Sequence, residues 1–159
     1  MNQRYLPTYL NDHLAAAVAM SNLAGRAASS NAGTGYGDFL EELHHEIAED
    51  RATLERIMER LDVRKDLVKT TAAQVAERLG RLKPNAHLTT YSPLSRLEEL
   101  EFLELGVNGN LALWRSLRRV AGTDDRLDLG ELNTLAERAE RQRHAIESQR
   151  LRAAEEALA

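Results

Sequence analysis

Residues 38–62 read DFLEELHHEIAEDRATLERIMERLD. Leu40, Leu43, Ile47, Leu54, Ile57 and Leu61 recur there at helical spacing, which puts them on one stripe of an α-helix. Charged residues fill most of the other positions, so the segment predicts a single amphipathic helix. Asp38 is placed to cap its start, and Glu41, three residues on, completes a capping box. The helix should end near Asp62.

The same period continues on both sides. Pro7 suits a first helical position, and Leu6, Leu10, Leu14, Ala17 and Val18 give a helix over about residues 7–28 an apolar side. Residues 29–37 (SSNAGTGYG) read as a flexible loop. Ser92 and Pro93, cap then first position, open a third helix that runs to about Val120 through Leu97, Leu100, Val107, Leu111, Trp114 and Leu117. Gly106 and Gly109 fall inside it. Each costs about 1 kcal/mol against Ala in a helix interior, which requires either a very close neighbouring helix or an irregular backbone. Asp128 and Glu131 form a further capping box for a fourth helix along Leu132, Leu135, Ala139 and Ile146. Its charged, Ala-rich end is expected to project beyond the body. Residues 63–92 form a long connection with a shorter helix over about 65–82, whose apolar side is Val68, Ala72, Val75, Leu79 and Leu82.

Composition narrows the class. The 159 residues fit one domain spanning 1–159. The absence of Cys excludes a disulfide scaffold, a thiolate zinc site and cysteine-ligated iron–sulfur clusters. Three Pro and nine Gly are too few for a many-turned β protein. A net charge of −4 suits a soluble cytoplasmic protein and exerts no general attraction on nucleic acid. The start of the chain has no basic stretch followed by an apolar run, so no signal peptide is expected. The apolar stretch from Leu14 to Met20 is too short for a membrane span. Short connections make helices one and two, and three and four, antiparallel neighbours, and the long connection can travel the length of the bundle. The expected fold is all-α, an up-down-down-up four-helix bundle with an additional crossover helix.

This order resembles the ferritin-like superfamily, and the second helix carries part of that family's motif. Glu41-x-x-His44 and Glu42-x-x-His45 overlap in the run EELHHE. The resemblance implies a site for two iron or manganese ions, built from a carboxylate on each of two helices and Glu-x-x-His on each of the other two. Helix three supplies Glu98, Glu99, Glu101 and Glu104. Helix one has no Glu and offers only Asp12 and His13, and Arg143 stands three residues after Glu140 in helix four. The ligand set implied by the resemblance is therefore incomplete.

A ligand must also lie on the inward stripe. Asp50 falls on it in helix two, with Glu46 beside it and His44 at its flank. Glu104 falls on it in helix three, with Glu101 adjacent, and Gln142 in helix four, with Arg143 adjacent. His13 lies next to Leu10 and Ala17. Two readings follow. In the first, His13, His44, Glu46, Asp50, Glu101 and Glu104, with His144 at the margin, are oxygen and imidazole ligands for iron, manganese or zinc. In the second, which is preferred, they form a polar layer in which Asp50 and Glu104 pair with Arg143, Arg51 or His13, since unpaired buried carboxylates are too costly.

Other patterns have plain explanations. Gly33, Gly35 and Gly37 do not follow a strand, as a dinucleotide fingerprint must. Asp124, Asp125 and Asp128 lack the spacing of a calcium loop. Residues 64–83 hold six basic and two acidic residues, which suits either a solvated face or contact with an anionic surface. The expected function is non-catalytic, by binding a protein partner or a second copy as a homodimer, with no cofactor. A di-iron or di-manganese carboxylate oxidase or metal-storage protein is the alternative.

Overall fold

The computed structural model describes residues 4–66 and 91–159, and these form four α-helices. They are α1 (Leu6–Ser30), α2 (Gly35–Arg60), α3 (Pro93–Val120) and α4 (Leu129–Leu158), with a 3-10 turn over Ala121–Thr123. Residues 63–66 are non-helical, so the crossover helix expected from residue 65 does not begin there. Its remainder, 67–82, and with it most of the basic stretch over 64–83, lies outside the described residues. Lys65 instead folds back on α2, where its ammonium meets Glu59 at 2.8 Å and Glu55 at 3.0 Å.

The turn between α1 and α2 is tighter than a flexible loop. Only residues 31–34 lie outside the helices. The Asn31 side-chain amide donates to the Ala27 carbonyl at 2.8 Å, which also accepts from the Asn31 backbone N–H at 3.1 Å. Thr34 Oγ1 donates to the Asn31 carbonyl at 2.7 Å and accepts from the Gly37 N–H at 3.2 Å. A Cβ at Gly37 would collide with that same carbonyl, so the glycine lets the turn close. Thr34, not Asp38, is thus the cap of α2. Asp38 sits in the first turn, where its charge favours the positive end of the helix dipole.

The other ends use different devices. At the end of α2 the Val63 N–H reaches the Met58 carbonyl at 2.9 Å and the Asp62 N–H the Glu59 carbonyl at 3.1 Å, a Schellman pair with Asp62 at φ +56°. Asn11 then anchors the exit segment: its amide donates to the Arg64 carbonyl and its oxygen accepts from the Asp66 N–H. Ser92 caps α3 and Asp128 caps α4, as their spacing predicts. Glu131 does not return to its cap but reaches across to Arg60 on α2. The end of α4 does not project: Ala153 is buried, and Glu156 is held by Tyr36 and Arg96.

The helices pack as two hairpins. α1 lies closely on α2, and α3 on α4. Asn31 at the end of α1 meets Arg96 near the start of α3, and Met20 faces Gly106, so α1 and α3 run in opposite directions. Arg60 meets Glu131 and Tyr36 meets Glu156, so α2 and α4 are also opposed. The apolar stripes of all four helices converge on one core, with Trp114, Ile47, Leu100, Leu103 and Leu132 fully enclosed. α1 meets α3 over more of its length than α2 meets α4.

Gly106 explains one of the two mid-helix glycines of α3. A Cβ there would overlap the buried side chain of Met20, so the position is kept small by its neighbour. Gly109 faces open space, and nothing in the structure explains it. Gly109→Ala is expected to stabilise the fold by up to about 1 kcal/mol. Gly106→Ala is expected to destabilise it, since displacing a buried methionine costs about 1–3 kcal/mol and outweighs the same propensity gain. Urea denaturation of the two variants checks the opposite signs.

Candidate functional site

The inward-facing polar residues of α2 meet α4, and the meeting is organised by length of side chain. Asp50 occupies a stripe position between Ile47 and Leu54, so its carboxylate is carried into the core. Gln142 occupies the matching position on α4, between Ala139 and Ile146, and is equally buried. Its amide donates to Asp50 Oδ2 at 3.3 Å and to Glu46 Oε2 at 3.0 Å. Arg138, one turn before Gln142, places Nη1 at 3.1 Å from Asp50 Oδ1 and 2.9 Å from Glu49 Oε2. Three carboxylates therefore share one guanidinium and one amide. The Gln142 carbonyl oxygen is buried and has no hydrogen-bond partner among the described residues, because both amide protons are turned to the carboxylates.

Electrostatics follow from that arrangement. Burial raises the Asp50 carboxyl from its usual 3.8 to about 6. Arg138 and the Gln142 hydrogen bond pull the value down, and Glu46 and Glu49 push it up again.

The other expected ligands lie elsewhere. Glu104 is half-buried on α3 and faces Arg150 of α4, with Nε to Oε2 at 3.6 Å. Glu101 is exposed and lies 3.9 Å from the same guanidinium. Arg150 is held in turn by Glu147 at 2.6 Å. His13 packs edge-on against Tyr9, with ring centroids 4.6 Å apart, and its burial lowers its proton affinity. His44 lies over Gly25 and lines a shallow open groove of about 510 Å3 with Ser21, Asn22, Arg26 and Ser29. His144 is exposed beside Arg143. Of the six expected ligands, the structure joins Glu46 with Asp50 and Glu101 with Glu104, and does not bring the two pairs or the histidines together. Among the described residues, no group of three or more His, Asp or Glu side chains is placed to hold a metal ion.

The polar layer also differs in its partners from the sequence expectation. Arg143 pairs with Glu140, Arg51 with Glu55, and His13 with Tyr9, so none reaches Asp50 or Glu104. Arg138 and Arg150 take those places, each reaching across from α4. Sequence spacing held a partial signal for Arg138, which lies four residues before the inward Gln142 and so on the same side of α4. Arg150 lies four residues after the inward Ile146 in the same way.

No family model matches the chain, and neither curated proteins nor solved structures match it. Among the described residues, no helix is long and apolar enough to cross a membrane.

Asp50 links stability to pH. Its proton affinity is higher in the folded than in the unfolded chain, so its contribution is full below the unfolded value and is lost as pH rises through about 6. The loss amounts to about 2 kcal/mol between pH 4 and 7. Asp50→Asn removes this dependence. The difference in unfolding free energy, variant minus wild type, is expected to rise by that amount from pH 4 to 7 in parallel denaturation curves.

Proposed function

We propose that the chain is a ferritin-like, up-down-down-up bundle that acts by binding or assembly in the cytoplasm and not by metal-centred catalysis. The reading rests on charge neutralisation. The inward carboxylate of α2, Asp50, has Arg138 and Gln142 against it. The one of α3, Glu104, has Arg150. A guanidinium beside a carboxylate supplies part of the neutralisation that a cation would otherwise give, although each is shared by more than one carboxylate, and it repels a cation from the same place. The opposed directions of α1 and α3, and of α2 and α4, support the helix order of the resemblance. In this proposal the polar layer fixes the register of α2 against α4, and the outer faces meet a protein partner or a second copy.

The test is elemental analysis of untagged protein prepared without chelator from iron- and manganese-supplemented culture. The expected result is far less than one metal per folded chain, unchanged in Glu104→Ala and Asp50→Ala. About two iron or manganese ions per chain, lost in both variants, would overturn the proposal in favour of a di-metal carboxylate centre. Sedimentation of the same preparations reads the assembly state directly.

A further inference from the structure

The bundle end at which α2 and α3 begin carries a second polar cluster that the Asp50 layer does not use. Tyr36, in the first turn of α2, is 3% exposed, and two guanidiniums lie over its ring. That of Arg152 on α4 is 3.8 Å from the ring centroid and that of Arg96 on α3 is 4.3 Å. A single carboxylate, Glu156, meets all three side chains. Tyr36 Oη donates to Oε1 at 3.0 Å, Arg96 Nη1 donates to Oε2 at 2.6 Å, and Arg152 Nε stands 3.6 Å from Oε1.

The donors and their occupant are held very differently. Arg96 is fixed twice, by the ring and by its Nε–H donating to Asn31 Oδ1 at 2.7 Å. Asn31 is itself buried and tied to the Ala27 carbonyl. Stacking on an aromatic face orients a guanidinium while leaving its N–H groups directed outward, the geometry that suits an oxyanion. Glu156, by contrast, is 42% exposed. An ion pair in that position is screened by water and easily exchanged. Two positive charges also share this one negative charge, so the cluster keeps an excess of one.

We propose that Tyr36, Arg96 and Arg152 form an oxyanion-binding site which Glu156 occupies as an internal stand-in and yields to an external phosphate or carboxylate. The inference goes beyond the binding role proposed above, and its test is indifferent to metal content. Vacating the site exposes a phenol and two guanidiniums that converge on one point, a pattern that takes an anion through charge-assisted hydrogen bonds.

Calorimetric titration of the full chain at constant ionic strength tests it, with inorganic phosphate and acetate as separate probes. Glu156→Gln is expected to bind at least one of them about ten-fold more tightly than wild type. Adding Arg152→Gln should return the affinity to the wild-type value, and both positions are surface-exposed, so the fold is retained. A gain confined to phosphate assigns a tetrahedral ligand, and one confined to acetate a planar carboxylate. No gain for either anion in Glu156→Gln, or a gain that survives Arg152→Gln, would overturn the proposal. In the wild-type chain, excess phosphate or acetate should shift the Tyr36 and Glu156 amide resonances, and no shift with either probe would count equally against it.

Discussion

A carboxylate inside an apolar interface must be neutralised by a group that can reach it, and Asp50 imposes this condition on the whole α2–α4 contact. Its position on the stripe of α2 is not negotiable, because the flanking Ile47 and Leu54 hold that face inward. The opposite helix must therefore present donors. A guanidinium and an amide at the ends of long side chains need room between the backbones, and α2 and α4 are the least closely packed of the helix pairs described above. Arg60 with Glu131, and Tyr36 with Glu156, span the same separation at the two ends. One seam of the bundle is thus filled by polar arms along its length.

The contact between α1 and α3 solves the opposite problem. Gly106 removes a side chain so that Met20 can enter, and the resulting contact is apolar. The two seams respond to different conditions. Burial of methionine and leucine is insensitive to ionic strength, whereas partly exposed ion pairs weaken as salt screens them. The Met20–Gly106 contact on one edge is therefore indifferent to salt, and the exposed ion pairs on the other are not.

The inward positions of Asp50 and Gln142 were legible because helical period alone decides them. Their partners were not. Arg143 is the sequence neighbour of Gln142, but a neighbour on a helix points about a quarter-turn away, and it turns back to Glu140. Arg138 and Arg150 are a full turn from their inward neighbours and reach the layer only because an arginine spans that distance. The start of α2 was misread for a related reason. Glycine is poor in a helix interior but acceptable in the first turn, whose N–H groups lack helical partners in any case. Gly35 and Gly37 could therefore lie inside the helix, once Thr34 had capped it. The arrangement around Tyr36 was beyond any single-helix reading, because its members sit at the ends of three different helices.

Asn31 bears on how the chain reaches this state. Its amide group closes the α1–α2 turn through Ala27, donates to Tyr91 Oη at 2.6 Å and receives Arg96, residues at and just beyond the end of the long connection. The first contact spans four residues and forms with the local hairpin. The others close loops of 60 and 65 residues and carry the larger entropic cost. One side chain thus takes part in both the local turn and the contact between the hairpins. Loss of the Asn31 side chain therefore removes the local bond of the turn and the acceptor of Arg96 together.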